Sequence, residues 1–367
     1  MTDSNSFSPD WISPPGDTIE DLLEERGWTK AEFALRTGFT AKHVNELLKG
    51  RVPITADAAE RFSRVLGSTP EFWLVREARY QAALARRKTS EVANDDAGWL
   101  KELPLAWMRK KKWVKTFEHR GEQVKECLSF FEVASVSIWR ECYAAPVVAF
   151  RASAKFEKKV GAIASWLRKG EIETQEIECK PFDKVGLKET LTDLRVLTRE
   201  EDPGVFGPKL VELCAANGVA VAFVPAPPGC PVSGATRWLT ADKAMLLLSL
   251  RHRSNDHLWF SLFHEIGHLL LHGKKLLFIE GLDGLDDEHE TEANLFAGRV
   301  LISDQDVRRL HEIAKTSRVL EPQIAAFAVE IGVAPGIVVG RMQKEGWLTW
   351  QQMNGLKVRY EWAGNEE

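Results

Sequence analysis

The sequence predicts an α+β protein that is mostly helical, with an all-α helix-turn-helix domain first and a small sheet beside an HExxH helix later. Three observations predict it. Apolar residues recur at helical spacing from about residue 17 to 85. Three short apolar stretches, GVAVAFVP (218–225), GATRW (234–238) and AMLLLSL (244–250), read as strands. Directly after them, WFSLFHEIGHLLLH (259–272) carries His264-Glu265-x-x-His268 inside a run of large apolar residues.

Composition sets the outer bounds. At 367 residues the chain exceeds one ordinary domain, and 44% hydrophobic with 28% charged residues describes a soluble globular class. The start, MTDSNSFSPDW, has no basic or apolar segment of a signal peptide, and no apolar run nears the ~18 residues of a membrane span. A cytoplasmic location without membrane contact is expected. Five well-separated cysteines with no CxxC pair predict neither a disulfide framework nor a thiolate metal site. A net charge of -4 argues against nonspecific nucleic-acid binding by the whole surface, while leaving room for a local basic face.

In chain order, residues 1–16, with Pro9, Pro14, Pro15 and Gly16, read as a flexible arm. Residues 17–88 form the first domain, read as five short helices, and KTSEVANDDAG (88–98) the linker after it. Asp17 is placed to cap the first helix, whose face holds Ile19, Leu22 and Leu23. Thr29 and Glu32 have capping-box spacing, Gly38 ends that helix, and Thr40 opens the next. The second helix of this pair buries Val44, Leu47 and Leu48 and turns Lys42, Asn45, Glu46 and Lys49 outward. Lys42, Asn45 and Lys49 can meet base edges; Thr40, His43 and Arg51 can meet base edges or phosphates. A solvated helical hairpin without a ligand gives the same spacing. Thr69-Pro70 starts the last helix. The region 99–200 reads as a helical connecting region with no catalytic constellation, and its charge run MRKKKW (108–113) as a solvated face.

Residues 205–350 hold seven of the nine histidines, six of them between His252 and His289. A four-residue step puts His264 and His268 one turn apart on one helix face, where both imidazoles can reach one zinc ion. Glu265 stands beside the first of them, placed to take a proton from an activated water. The bland alternative is a buried histidine pair bonded to backbone. His272 continues the step and reads as a pocket residue or one behind the ligands, because a third ligand two turns from His264 strains the geometry. The third ligand is expected from DDEHETEANLFAGRVLI (286–302), where Glu290 leads Glu292 and Glu288 by a small margin. Asn294, one turn beyond Glu290, can bond the rear nitrogen of a ligating imidazole. No oxyanion donor stands out among His252, His257 and His272. The predicted strands supply an exposed edge on which a peptide can lie, or a sheet that only covers the helix, and 324–347 reads as two helices that pack this domain.

Two resemblances add to this reading. Residues 16–85 resemble the Xre-type helix-turn-helix of HigA-like antitoxins through the GWTxxEFA entry, the RxPIT link and the SxxFWL end. That implies binding to a double-stranded DNA operator as a homodimer, with the helix at 40–49 in the major groove. The mix of Lys42 and Glu46 departs from the pattern and leaves the operator sequence open. LSLRHRSNDHLWFSLFHEIGHLLLH followed by ETEANLFAGRVLI resembles the ImmA/IrrE family of zinc metallopeptidases over roughly 205–345. It implies a zincin-like fold, zinc (Zn2+) on His264, His268 and Glu290, and Glu265 as general base; Ser303 stands where the family often has proline. Residues 99–200 also resemble the connecting region of fused proteins of these two types. The expected function is a DNA-binding transcriptional regulator carrying a zinc metalloendopeptidase that cleaves a partner repressor or toxin. The alternative is a repressor or antitoxin whose zinc domain senses a signal or holds a partner without cutting.

Overall fold

The computed structural model describes residues 12–145, 154–274, 277–279, 287–315 and 320–362, with the backbone alone at 154–159 and 287. It divides into two compact units: Met1–Ala97 with His119–Glu122, and Gly98–Glu118 with Gln123–Glu367.

The first unit is built from α1 (Pro15–Arg26), α2 (Lys30–Thr37), α3 (Ala41–Leu48), α4 (Ala56–Leu66) and α5 (Pro70–Asp95). Four of the five start alike. Thr29, Thr40, Thr55 and Thr69 each accept a hydrogen bond from the backbone amide three residues on. Each such cap contributes about 1 kcal/mol by satisfying an amide that the helix leaves unpaired. The core that these helices share is Ile19, Phe33, Leu47, Phe62 and Trp73. At Gly16 a Cβ would lie 1.9 Å from the Leu48 carbonyl oxygen, so glycine lets α1 meet the end of α3.

Three local expectations change. The first helix starts at Pro15 rather than behind an Asp17 cap, because proline needs no amide partner at a first helical position. Only half of the capping box forms: Glu32 pairs with Arg36 at 2.7 Å instead of reaching back. The stretch expected as a linker is helical through Asp95 and continues as a 3-10 turn over Asp96–Lys101. No glycine or proline interrupts the chain between Pro70 and Gly98, and its alanines and long charged residues favour helix.

The second unit begins with α6 (Leu105–Lys110), most of α7 (Arg120–Phe131) and α8 (Val136–Trp139). It continues with α9 (Ala154–Gln175), α10 (Lys184–Leu197) and α11 (Pro203–Ala215). Strands β1 (Val219–Phe223), β2 (Gly234–Trp238) and β3 (Ala244–Leu248) follow, then α12 (Asn255–Leu271), β4 (Phe278–Ile279) and α13 (Asp287–Leu301). Helices α14 (Asp304–Ala314), α15 (Glu321–Ile331) and α16 (Pro335–Lys344) complete it. The three strands expected from sequence are present. The sheet order is β1-β3-β2-β4, with β1 parallel to β3 and the other pairs antiparallel. Every residue of β3 is buried, as a strand covered on both faces requires.

Strand alternation gives β2 two different faces. Arg237 points to α9, where it pairs with Glu171, while Gly234 adjoins Glu265 of α12. Helix α9 is therefore a structural layer of the sheet domain. Its Trp166 Nε1–H donates to the Val224 carbonyl at 2.8 Å, and Gly170 lies against Leu247. The main core lies beneath α12, where Trp259, Phe263 and Ile266 pack with Leu194, Leu210, Phe327 and Val338. The helix pair in 324–347 thus packs the domain, as expected. Strand β4 was not anticipated. It pairs with Ala235 and Thr236 of β2, so the sheet edge at this end is β4 rather than one of the three expected strands. Among the described residues no single helix is long and apolar enough to cross a membrane.

Candidate metal centre

Helix α12 is buried almost all round, and its turn-to-turn step aligns His264 and His268. Both are 1% exposed and Glu265 is 0% exposed. Helix α13 brings Glu290 across. Its two oxygens lie 3.3 Å from His264 Nε2 and 3.3 Å from His268 Nε2, and the two Nε2 atoms are 2.9 Å apart. Tetrahedral zinc with bonds of ~2.0–2.1 Å would hold such donors roughly 3.3 Å apart, so the three side chains converge on one ion-sized point. The three donors also form the group with metal-binding proximity among the described residues. One carboxylate and two imidazoles are a hard and borderline donor set that suits zinc.

Electrostatics agree with this geometry. Burial, reinforced by His264 and opposed by Glu290, pushes the His268 imidazole down to about 4, which keeps it neutral and able to ligate. Burial would raise Glu290, but hydrogen bonds from His264 and His268 hold it down at about 2. His268 and Glu290 are therefore deprotonated at neutral pH.

Behind the ligands the arrangement differs from the expectation. His268 Nδ1 lies 2.9 Å from His272 Nδ1, and His272 Nε2 lies 3.1 Å from a Glu292 oxygen. His289 packs edge-on against His272 at 4.3 Å. The rear nitrogen of His268 is thus served by His272 and Glu292. Asn294 lies half-buried one turn beyond Glu290, and its side chain makes no hydrogen bond among the described residues. Glu292 and His289 are drawn in because α13 packs close along α12. Two further contributors were invisible in sequence. Phe278 of β4 stacks on His268 at 4.0 Å and walls one side of the site. At Gly234 a Cβ would lie 2.7 Å from Glu265 Oε1, so this glycine makes room for the carboxylate under β2. Only the packing of strand on helix reveals either.

In the first unit, Lys42 and Asn45 of α3 and Lys49 at its end are exposed together. Thr40 is occupied by its cap, accepting from the His43 amide at 3.1 Å. The His43 ring is half-buried against Phe39 at 4.7 Å, and exposed Arg51 pairs with Glu46 at 3.4 Å. Three of the six expected contact residues are therefore unencumbered, and three carry structural roles as well.

Residues 19–74 match the Helix-turn-helix family. A stretch of 79 residues is 33% identical to the uncharacterized HTH-type transcriptional regulator YddM of Escherichia coli, covering 22% of this chain and 83% of that protein. The chain belongs to the helix-turn-helix transcriptional regulators. In this regulator, residues 233–342 match a peptidase family described as the IrrE N-terminal-like domain, and that span contains α12, α13 and the three converging donors. A solved chain from Nostoc punctiforme, nominally an antidote protein of a plasmid maintenance system, is 29% identical. It covers 22% of the regulator and 90% of itself, with a TM-score of 0.21 that carries no structural argument.

Proposed function

We infer that this regulator binds an operator through α3 and that its second unit is a zinc metalloendopeptidase of the gluzincin-like type, acting on a partner repressor or toxin. The observation that carries the reading is the convergence of His264, His268 and Glu290 with the buried carboxylate of Glu265 alongside. Zinc on those three residues would supply a Lewis acid that polarises a carbonyl and makes water a nucleophile at neutral pH. Glu265 accepts the proton of the attacking water and returns it to the leaving amine. His272 and Glu292 keep His268 in the tautomer that presents Nε2 forward. Phe278 and β2 exclude bulk water from that side.

The test is Glu265→Gln, read by bound zinc, by partner cleavage and by regulation in cells. Zinc retained with cleavage and regulation both lost is the expected result; regulation intact with zinc bound sinks the peptidase reading. One observation favours a second reading. Glu265 is 0% exposed, as suits a zinc domain that senses a signal or holds a partner without cutting, and the same variant separates the two. For the operator, Lys42→Ala with Asn45→Ala should weaken binding to the upstream promoter by about tenfold or more in fluorescence anisotropy. Unchanged affinity in a folded variant removes α3 from the interface. An antitoxin role and a homodimer belong to the same reading, supported by the resemblance of residues 16–85 alone.

A further inference from the structure

At the entry to α12 lies a pocket that the zinc chemistry does not use. It is a small recess of about 10 Å³, partly open to solvent, lined by Arg251, His252, Arg253, Ser254, His257 and Ser261 with apolar leucines behind them. No acidic residue lines it. A space of that size takes about one water-sized group, so it suits a single oxygen of a small anion.

Its chemistry is that of an anion receptor. Arg251 and Arg253 bring two positive charges, and both are exposed. His252 and His257 stack at 4.1 Å, and burial lowers the pKa of both, so they enter as neutral N–H donors. The hydroxyl of Ser254, the N-cap residue, caps no amide, and the His257 amide has no partner among the described residues. That end of a 17-residue helix carries the positive pole of the helix dipole. Asp256 does not cancel it, because Lys357 pairs with its carboxylate at 2.6 Å.

A second, independent feature points to a ligand. Ser261 is 5% exposed and Ser254 9% exposed, both line the pocket, and neither hydroxyl makes a hydrogen bond among the described residues. Neither hydroxyl oxygen is sealed in the core, so both are open to a ligand in the pocket. The location also has meaning. Ser261 precedes Glu265 by one helical turn on the same face, and Ser233, which also lines the pocket, precedes the Gly234 that touches Glu265.

We propose that this pocket is an oxyanion subsite that takes the carboxylate of an acidic side chain in a peptide held across Glu265. The source of the anion rests on the peptidase reading above, whereas the capture of an oxyanion does not. The full-length chain carrying Glu265→Gln, which cuts nothing, is titrated by NMR with capped Ala-Asp-Ala, capped Ala-Asn-Ala and inorganic phosphate. The aspartate peptide is expected to bind about tenfold tighter than its asparagine twin, as one charge-assisted contact dictates. Phosphate should displace it. Arg251→Gln with Arg253→Gln should erase the preference. Ser261→Ala, a mild change that keeps the fold, should reduce it about threefold.

Phosphate binding without any preference between the peptides overturns the peptide source and leaves a free-anion site. Equal binding of both peptides with no phosphate binding overturns the proposal altogether. Absence of cleavage by the unsubstituted regulator would overturn the peptidase reading and leave this titration untouched.

Discussion

Strand β2 separates two buried clusters of ionisable groups, and they solve the same problem differently. On the α9 side, Arg168 meets Glu171 at 3.1 Å and Glu132 at 2.6 Å, and Glu171 also meets Arg237. The Tyr143 hydroxyl donates to Glu171 at 3.1 Å, and burial with that carboxylate beside it raises its pKa so that it stays a donor. Two arginines answer two glutamates, so the protein itself neutralises this cluster. On the α12 side, one carboxylate faces two imidazoles, and all three direct their donor atoms to a common point. No cationic side chain of the protein answers them there among the described residues. A buried cluster that is electrically closed is structural, whereas one left open toward a shared point is built for an ion.

Four experiments break or sharpen this contrast, beginning with the largest effect. Glu171→Gln leaves Arg168, whose side chain is 5% exposed, without its buried partner. Unfolding in denaturant should show a loss of about 3–5 kcal/mol, and a loss under 1 kcal/mol would mean the closed cluster is not closed. Next, Gly234→Ala drives a methyl group against Glu265 and should lower stability by about 1–3 kcal/mol through overpacking. Zinc binding should persist, because Gly234 touches no ligand; its loss would show that β2 shapes the ligand set too.

His272→Phe keeps the volume but removes the nitrogen behind His268. Zinc affinity, measured by chelator competition, should fall about 10–100-fold, while the α9 side stays intact. An unchanged affinity would assign that support elsewhere.

The smallest effect is in pH. The His268 imidazole titrates near 4 in the folded chain and near 6.5 when unfolded. Between those values only the unfolded state takes the proton, so the stability present above pH 6.5 is lost as the pH falls. Glu290, held at about 2 against an ordinary 4.5, adds to the loss at still lower pH. Metal-free protein should lose roughly 1 kcal/mol between pH 7.5 and 5.5 in urea unfolding. A flat profile would show that the imidazole is not held neutral by its surroundings.

The contrast also explains what could be read in advance. His264, Glu265 and His268 carry their chemistry in local spacing, and Glu290 needed only the next helix. The threonine caps of the first unit are local too, so its five helices were legible. Residues 99–200 were read as a connector because Arg168 and Glu171 look like surface charges in sequence. Their partner Arg237 lies 66 residues beyond Glu171, out of reach of any periodicity argument. β4 has two residues and Gly234 has no side chain, so neither leaves a pattern. Spacing leaves His272 as a pocket residue or one behind the histidine pair; it lies against His268, and its partner Glu292 depends on the contact of α12 with α13.

Helix α3 has a consequence of another kind. Val44, Leu47 and Leu48 carry all its fully buried apolar contacts, while Lys42, Asn45 and Lys49 carry none. The residues that hold the helix in place and those that face outward are disjoint sets on the nine positions from Ala41 to Lys49. Such a helix can be rewritten on its outer face in single steps, each close to neutral for folding. Descendants of one regulator can in this way drift to new operators while the machinery in the second unit stays as it is.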